Sequence, residues 1–372
     1  MRFQGFTTPW TEIEIGKAFQ VTRGYVLPTT VVRQDASEEY IYPVYSSQTK
    51  DNGLMGYYND YLYENAITWT TDGANAGTVH YRPGKFYCTN VCGVLLSDEG
   101  NANRCVAEIL GSVSKKYVSY VGNPKLMNNV MSEIKIYVPT IDEQKKIDDF
   151  ISVIDHRIEK QLELIEHLKK YKRGLHDRIF SHLSDSKCEK ADLRSIATFC
   201  GGGTPSKVVP SYWNGNIGWI SSSDVHEEWV DTISVTRRIN DIAISNSATK
   251  LCPSGTIAIV SRVGVGKVAL MSEDLCTSQD FTNITSIKGN TLFMTYQIAY
   301  KMKIEAAKTQ GTSIKGITAE EIKSLKIDIP ADEEQRYIAT LLSSLDIRLR
   351  QEIRKADCLH TLKNALLQQL FI

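Results

Sequence analysis

Between Pro139 and Phe180 the apolar residues keep a seven-residue beat. Ile147, Ile151, Ile154, Ile158, Ile165, Leu168, Leu175 and Ile179 fall at alternate steps of three and four, or at sums of those steps. That spacing puts one narrow apolar seam along a helix, the pattern of a coiled coil. The beat returns 191 positions later, without a gap, as Ile338, Leu342, Leu345, Leu349, Leu359, Leu366 and Leu370. More than the beat repeats: Pro139, Glu143, Gln144, Asp155, Arg157, Lys172 and Phe180 recur as Pro330, Glu334, Gln335, Asp346, Arg348, Lys363 and Phe371. A unit of roughly half the chain therefore appears twice, and each copy ends in a long helix. A helix of ~40 residues extends ~60 Å at 1.5 Å per residue, too far to lie inside a small domain, so it acts as a spacer or arm.

The 372 residues suit two or three domains. No apolar run reaches the ~20 residues of a membrane helix, and MRFQGFTTPW has no apolar signal core, so a cytoplasmic protein without a membrane partner is expected. The eight cysteines form no C-x-x-C pair. Cys88, Cys92 and Cys105 are too few soft ligands for a structural zinc site and read as buried thiols. Formal net charge is zero. By segment, basic and acidic side chains number 12 and 13 in residues 1–138, nine and nine in 139–184, 16 and 15 in 185–330, and six and six in 331–372. No whole segment is a basic block, so contacts to a polyanion must come from local patches or be shared with a more basic partner.

The two blocks read as mixed α/β. Ile41–Tyr45, Ala66–Trp69, Gly93–Leu96, Ile217–Ser221 and Gly255–Ser261 have the pattern of strands, and Asn52-Gly53 and Pro83-Gly84 that of turns. Ile134–Val138 and Leu325–Pro330 are matching last strands before each helix, and Thr291–Thr309 has a helical period. A short helix fits Lys125–Met131. The first long helix is expected to start at Asp142 as N-cap and to end at Ser184-Asp185-Ser186. Its histidines, His156, His167 and His176, fall off the apolar seam and read as solvated.

No catalytic set emerges. Gly264-x-Gly266-Lys267 lacks the earlier glycine and the following hydroxyl of a phosphate loop. Glu133-x-Lys135 and Glu321-x-Lys323 have the E-x-K half of a nuclease site without the Pro-Asp half, and both sit beside a terminal strand where alternating charge is ordinary. Asn123-Pro124-Lys125-Leu126 is a poor approach to an amino-methyltransferase loop. Catalytic residues and metal ligands are therefore expected to be absent.

Gly201–Val225, GGGTPSKVVPSYWNGNIGWISSSDV, resembles the opening of a target recognition domain of the specificity subunit of type I restriction–modification systems. The match lies in the Gly-Gly-Thr-Pro-Ser turn, Tyr212-Trp213, Gly215 and Trp219-Ile220-Ser221, with Gly218 where that family usually has proline. The first block resembles a variant of the same domain through Tyr42-Pro43-Val44, Asn52-Gly53 and Gly56-Tyr57. The helices resemble the family's central and C-terminal regions, including Pro-x-x-x-Glu-Gln at Pro139 and Lys-x-x-Leu at Lys172.

The resemblance implies an α+β chain of two pseudo-repeated α/β target recognition domains joined by two long antiparallel coiled-coil helices. Residues 1–138 and 185–330 would be the recognition domains, and 139–184 and 331–372 the helices. Each domain would read one half of a split site in double-stranded DNA. Two methyltransferase subunits would dock on the helices and methylate adenine with S-adenosylmethionine, and restriction subunits would add ATP- and magnesium-dependent translocation and cleavage. The chain itself would carry no chemistry and no cofactor. A stiff arm with a reader at each end suits half-sites about one turn of DNA apart, ~34 Å. Polar and basic residues on the glycine-marked loops are the candidate base contacts: Ser46, Ser47, Lys50, Asn52, Thr70, Asn75, Thr204, Ser206, Lys207, Ser222, Arg262, Lys267, Gln279 and Thr312. Two other classes remain: a fused enzyme fragment, opposed by the missing catalytic motifs, and a non-catalytic coiled-coil adaptor or specificity module of another methyltransferase or nuclease system.

The polar positions of the seam specify a register. With Ile151 at a and Ile154 at d, Lys172 and Lys363 fall at a, and Gln161 and Glu352 at d. Buried polar residues need partners. An antiparallel pair meets that need by setting Lys172 against Glu352 and Gln161 against Lys363, with Ile158 on Leu366 and Leu175 on Leu349.

Overall fold

The structure, a computed structural model, describes residues 3, 5–47, 50–309 and 316–371. The long helices span Ile141–Asp185 and Asp332–Phe371. Each divides between two compact units, one of Met1–Leu162 with Arg354–Ile372 and the other of Glu163–Ile353. A helix half thus belongs to the core of each unit, where grouping by sequence had given each helix a segment of its own. Among the described residues no helix is long and apolar enough to cross a membrane.

The start of the first helix corrects the expectation of an Asp142 cap. The cap lies two residues earlier, at Thr140, whose hydroxyl receives the Glu143 N–H at 3.5 Å, and Ile141 is the first helical residue. The repeated Pro-x-x-x-Glu-Gln has a structural reason in both copies. Gln144 folds back so that its Nε2 donates to the Pro139 carbonyl at 2.9 Å, and Gln335 does the same to Pro330 at 2.8 Å. Both side chains are buried. Their oxygens accept in turn from Asn103 Nδ2 and from the Asn290 N–H, each at 2.8 Å. The glutamine therefore ties the strand exit to the block beneath it.

In the first unit Thr11–Glu14 pairs antiparallel with Lys135–Val138. A six-stranded sheet runs in the order Gln20–Arg23, Cys92–Leu96, Tyr63–Thr70, Val79–Cys88, Tyr42–Tyr45, Leu54–Tyr58. Pro83-Gly84 makes no chain reversal, contrary to expectation. Val79–Cys88 passes straight through it as one strand, opposite a bulge between Glu64 and Ala66, where the Gly84 N–H is held by Asn65 Oδ1 at 2.8 Å. The helix Arg104–Ser114 buries Cys105, Val106, Ile109 and Leu110 against this sheet, and Ile147 and Ile151 of the first long helix complete the same core. Leu367 and Phe371 from the end of the second long helix pack there too.

The second unit repeats this plan with its sheet split in two. Lys326–Ile329 pairs with Glu189–Asp192. One four-stranded sheet is ordered Ala197–Gly201, Phe281–Ile287, Ile257–Val260, Val268–Leu270; the other is Arg237–Ile239, Ile217–Ile220, Leu275–Thr277, Leu251–Cys252. The helix Thr291–Thr309 buries Phe293, Met294, Tyr296 and Ile298. Phe180 and Leu183 of the first long helix join that core with Ile338, Ala339 and Leu342 of the second.

The helix halves run antiparallel in each unit. Early residues of the first helix meet late residues of the second in the first unit, and late meet early in the second unit. The charged partners differ from the expected layers. Lys172 Nζ pairs with Asp346 at 2.5 Å in place of Glu352, and also donates to the Glu228 carbonyl at 2.8 Å. Lys363 pairs with Asp155 at 2.8 Å and Glu108 at 3.0 Å in place of Gln161. Glu352 binds Arg348 on its own helix at 2.8 Å. Gln161 and Glu352 are buried as a seam position requires. Asp346 lies six residues before Glu352, and Asp155 six before Gln161, ~9 Å along a helix at 1.5 Å per residue, so the observed pairs depart from the expected layers by more than one turn. The repeat exchanges one pair for the other: Lys172 with Asp346 becomes Lys363 with Asp155.

His176 also departs from expectation. It stands edge-on to Phe180 and Tyr296, and burial, with Lys172 and Lys303 nearby, lowers its pKa to about 4. The helix Thr291–Thr309 covers a face of the long helix that the heptad pattern leaves polar.

Candidate nucleic-acid interface

Strand directions gather one set of loops on a rim of the second unit. Ile217–Ile220 and Leu275–Thr277 are parallel, with Ile220 opposite Thr277, so they end together. Ile257–Val260 and Ala197–Gly201 run against Phe281–Ile287, and Ile257–Val260 runs against Val268–Leu270. Four strand ends and two strand starts therefore share the rim. Backbone bonds stitch them: Ser278 N–H to Ile220 O at 2.9 Å, Ser261 N–H to Asp280 O at 2.8 Å, and Gly203 N–H to Thr277 O at 2.8 Å.

Thr204, Ser222, Arg262, Lys267 and Gln279 lie on these loops, with Ser206 and Lys207 just after Thr204. The Thr204 hydroxyl donates to Gln279 Oε1. Lys267 Nζ donates to the Ser222 carbonyl at 3.3 Å, which directs this cation inward. Lys207, Arg262 and Gln279 are exposed. Ser206 uses its carbonyl to receive Trp213 Nε1 at 3.2 Å. Thr312 lies outside the described residues.

The aromatic motif is the rim's foundation. Trp219 is buried and donates Nε1 to the Gly203 carbonyl at 2.9 Å, with Trp213 edge-on at 5.1 Å. Gly202 needs its missing side chain, because a Cβ there would sit 2.0 Å from the Ser278 carbonyl oxygen. Gly202→Ala is therefore expected to cost about 1–3 kcal/mol from forced displacement, read as a lowered urea midpoint at unchanged slope.

Sequence reasoning missed the support of the Ser222–Asp224 turn. Arg237 Nη2 donates to Asp224 Oδ2 at 2.6 Å and to Ser221 Oγ at 2.5 Å, and the guanidinium lies 4.5 Å from the Trp219 ring centroid. Burial pushes the Asp224 pKa up, but hydrogen bonds from Ser221, Arg237 and Thr236 outweigh it and hold the group below the usual aspartate value.

In the first unit Ser46, Asn52, Thr70 and Asn75 line one cavity of about 160 Å³. Asn75 Nδ2 donates to the Ser47 carbonyl at 3.0 Å, and Thr89 Oγ1 donates to Ser46 Oγ at 3.1 Å. Thr70 is buried. Lys50 begins the turn Lys50–Gly53, and its side chain lies outside the described residues. The cavity also holds Arg82 and His80, which the sequence reading had passed over. They alternate on one strand and so share a face. Arg82 donates to the Asn52 carbonyl at 2.7 Å and to Thr68 Oγ1 at 3.1 Å, with its guanidinium 3.7 Å from the Tyr45 ring centroid. Burial, then Arg82 and Lys363, lowers the His80 pKa to about 4, so the ring is neutral at pH 7. The edge of this cavity, taken as the first unit's rim, thus presents neutral hydrogen-bonding groups around a fixed cation.

Comparison with known proteins fits this arrangement. The family described as the type I restriction modification DNA specificity domain matches residues 8–169 and again 185–356. A putative type I specificity subunit of Mycoplasma pneumoniae is 29% identical over 327 residues, 83% of this chain and 84% of that one. The specificity subunit of the type I restriction enzyme MjaIX of Methanocaldococcus jannaschii is 30% identical over 187 residues; the match covers 48% of this chain and 43% of that protein, less than half its length. The crystal structure of a type I restriction–modification S subunit from M. genitalium superposes with a TM-score of 0.64 at 17% identity, covering 100% of this chain and 99% of that one. Two domain matches spanning most of the sequence, on a repeated fold shared with that subunit, mean that the chain belongs to the type I restriction–modification DNA specificity family.

Proposed function

We propose that this chain is the DNA-reading subunit of a type I restriction–modification complex. Each unit reads one half of a bipartite site in double-stranded DNA through its rim. The helices carry the docking surface for two methyltransferase subunits, and restriction subunits join the same assembly. Adenine methylation with S-adenosylmethionine, and ATP- and magnesium-dependent translocation and cleavage, belong to those partners. The observation that carries the reading is the double match to the DNA specificity domain, together with a polar rim in each copy.

The chain's own residues bind and position. In the second unit Lys207 and Arg262 are exposed and approach base edges or phosphates, while Gln279 offers its Nε2 with its Oε1 held by Thr204; arginine and lysine favour guanine. Arg237 and Asp224 hold the Ser222–Asp224 turn in a fixed conformation, which lowers the ordering cost of recognition. In the first unit Asn75 and Ser46 are the corresponding polar groups, with Arg82 fixed behind them.

The test is selection of bound fragments from a genomic library by the chain with and without its methyltransferase partner, and by that partner alone. A split consensus, recovered only when the chain is present, is expected. Recovery of the same fragments by the partner alone would contradict the reading.

The chain alone is expected to bind DNA weakly and to gain affinity with its partner, because both reader blocks are close to neutral, with 12 basic against 13 acidic side chains and 16 against 15, and phosphate neutralisation supplies most non-specific affinity. Gel-shift titration at fixed salt measures this. Nanomolar specific binding by the isolated chain would refute it.

A further inference from the structure

Residues 115–125, KKYVSYVGNPK, hold three lysines, two tyrosines and no carboxylate. This is a local excess of positive charge in a block that is otherwise balanced. The segment begins at the 3-10 turn Lys115–Tyr117 and closes as a hairpin, with the Ser119 N–H to Lys125 O at 2.8 Å and the Lys125 N–H to Ser119 O at 2.9 Å. Its base is locked. Val118 and Leu126 are buried, the Leu126 N–H donates to Thr71 O at 2.8 Å, and Trp69 Nε1 donates to Leu126 O at 2.9 Å.

The tip has the opposite character. Tyr120 is 70% exposed and Val121 92% exposed. Lys115 and Lys116 are exposed in the turn that leads into the hairpin and Lys125 is exposed at its root, with Asp72 3.8 Å from Lys125 as the nearby acid. The hairpin also joins the rim. The Gly73 N–H donates to Pro124 O at 2.9 Å, which ties the returning arm of the hairpin to the turn that follows Thr70 and leads to Asn75.

A hairpin with a locked base, an exposed Tyr-Val tip and lysines at its root fits one kind of surface. Duplex DNA offers phosphates at the groove edge and apolar base and sugar faces within it. An acidic protein surface would satisfy the lysines but would leave Val121 without a matching groove. We infer that residues 115–125 are a DNA-gripping element of the first unit. Lys115, Lys116 and Lys125 take phosphates, and Tyr120 and Val121 enter the groove beside the base-reading rim. This rests on the DNA-reading assignment above and extends it to residues outside the rim cavity.

The experiment uses the full chain assembled with its methyltransferase subunits, a duplex carrying the mapped methylation site and a scrambled duplex. Affinity is measured across a salt series for wild type, Lys115→Gln/Lys116→Gln and Tyr120→Ser/Val121→Ser. The lysine variant is expected to lose affinity for both duplexes and to lower the slope of log K against log salt by about two, at ~0.9 per phosphate contact. The tip variant is expected to keep the wild-type slope and to weaken binding to the site duplex by about tenfold or more, a ΔΔG of ~1.4 kcal/mol. If wild type binds its site and both variants match it in slope and affinity, the hairpin assignment is wrong. If the variants instead fail to assemble with the methyltransferase subunits, the element is a protein-docking surface and the proposal also falls. If wild type itself does not discriminate between the duplexes, the DNA-reading assignment fails along with it.

Discussion

Replacing Lys172 with methionine is expected to destabilise the second unit by about 3–5 kcal/mol, the cost of stranding a buried charge. The Asp346 side chain is fully buried, and Lys172 Nζ lies 2.5 Å from it. Tyr296 donates to its other oxygen at 2.7 Å. Methionine preserves most of the apolar stem, so the loss falls on the charge. Burial raises the Asp346 pKa above its ordinary 3.8, against the opposing effects of Lys172 and Tyr296. A raised carboxylate pKa means that the folded chain binds the proton more tightly than the unfolded chain. Stability then falls as pH rises from 3.8 through the folded pKa. Removing Lys172 pushes that folded pKa further up. The deficit of the variant should therefore be largest at neutral pH and shrink as pH falls towards 3.8. Adding Asp346→Asn, which retains an acceptor for Tyr296, should recover most of the loss at neutral pH. Urea denaturation of the three chains at neutral and acid pH measures this. A pH-independent deficit below about 1 kcal/mol would mean that the pair behaves as a surface ion pair.

Exchanging residues 187–330 for the same block of a family member should replace one half of the methylated site entirely and leave the other half unchanged. The block has a defined root. Lys326–Ile329 pairs with Glu189–Asp192, and Gln335 caps the Pro330 carbonyl. A transplanted block that keeps these features meets the same helix start. Its hold on the helices also includes Arg350 to Asp231 at 2.6 Å, with Lys172 and Arg350 both over the Trp229 ring. A donor block without an aspartate and a tryptophan at those positions is expected to give a less stable chain with the same change of site. The readout is the methylated sequence in a host carrying the hybrid. Change in both halves would show that the two blocks do not read independently.

The repeat makes the architecture legible in the sequence. The heptad seam located both long helices, and the helix Thr291–Thr309 was found at its full length from its 3.6-residue period. The ion-pair partners were harder. The expected register matched each lysine with a polar residue directly across the seam, and so passed over Asp155 and Asp346, although both recur in the repeat. Requiring each lysine to meet an acid that the repeat also exchanges would have found the observed pairs. His176 was misread because heptad reasoning covers one face of a helix, and the helix Thr291–Thr309 buries a second. Arg82 was missed because a buried arginine in a strand looks, in sequence, like any surface cation. The 115–125 hairpin escaped notice because charge was counted over whole blocks, and a run of 11 residues vanishes in a total of 12 basic against 13 acidic.

The central claim is that two linked readers specify one split DNA site. Base-resolution mapping of adenine methylation in a host carrying this chain with its methyltransferase partner tests it most directly. The account predicts a motif of two defined half-sites around a spacer of unspecified bases, with methylation that disappears when the chain is deleted. A single continuous motif, or methylation that persists without the chain, would contradict it.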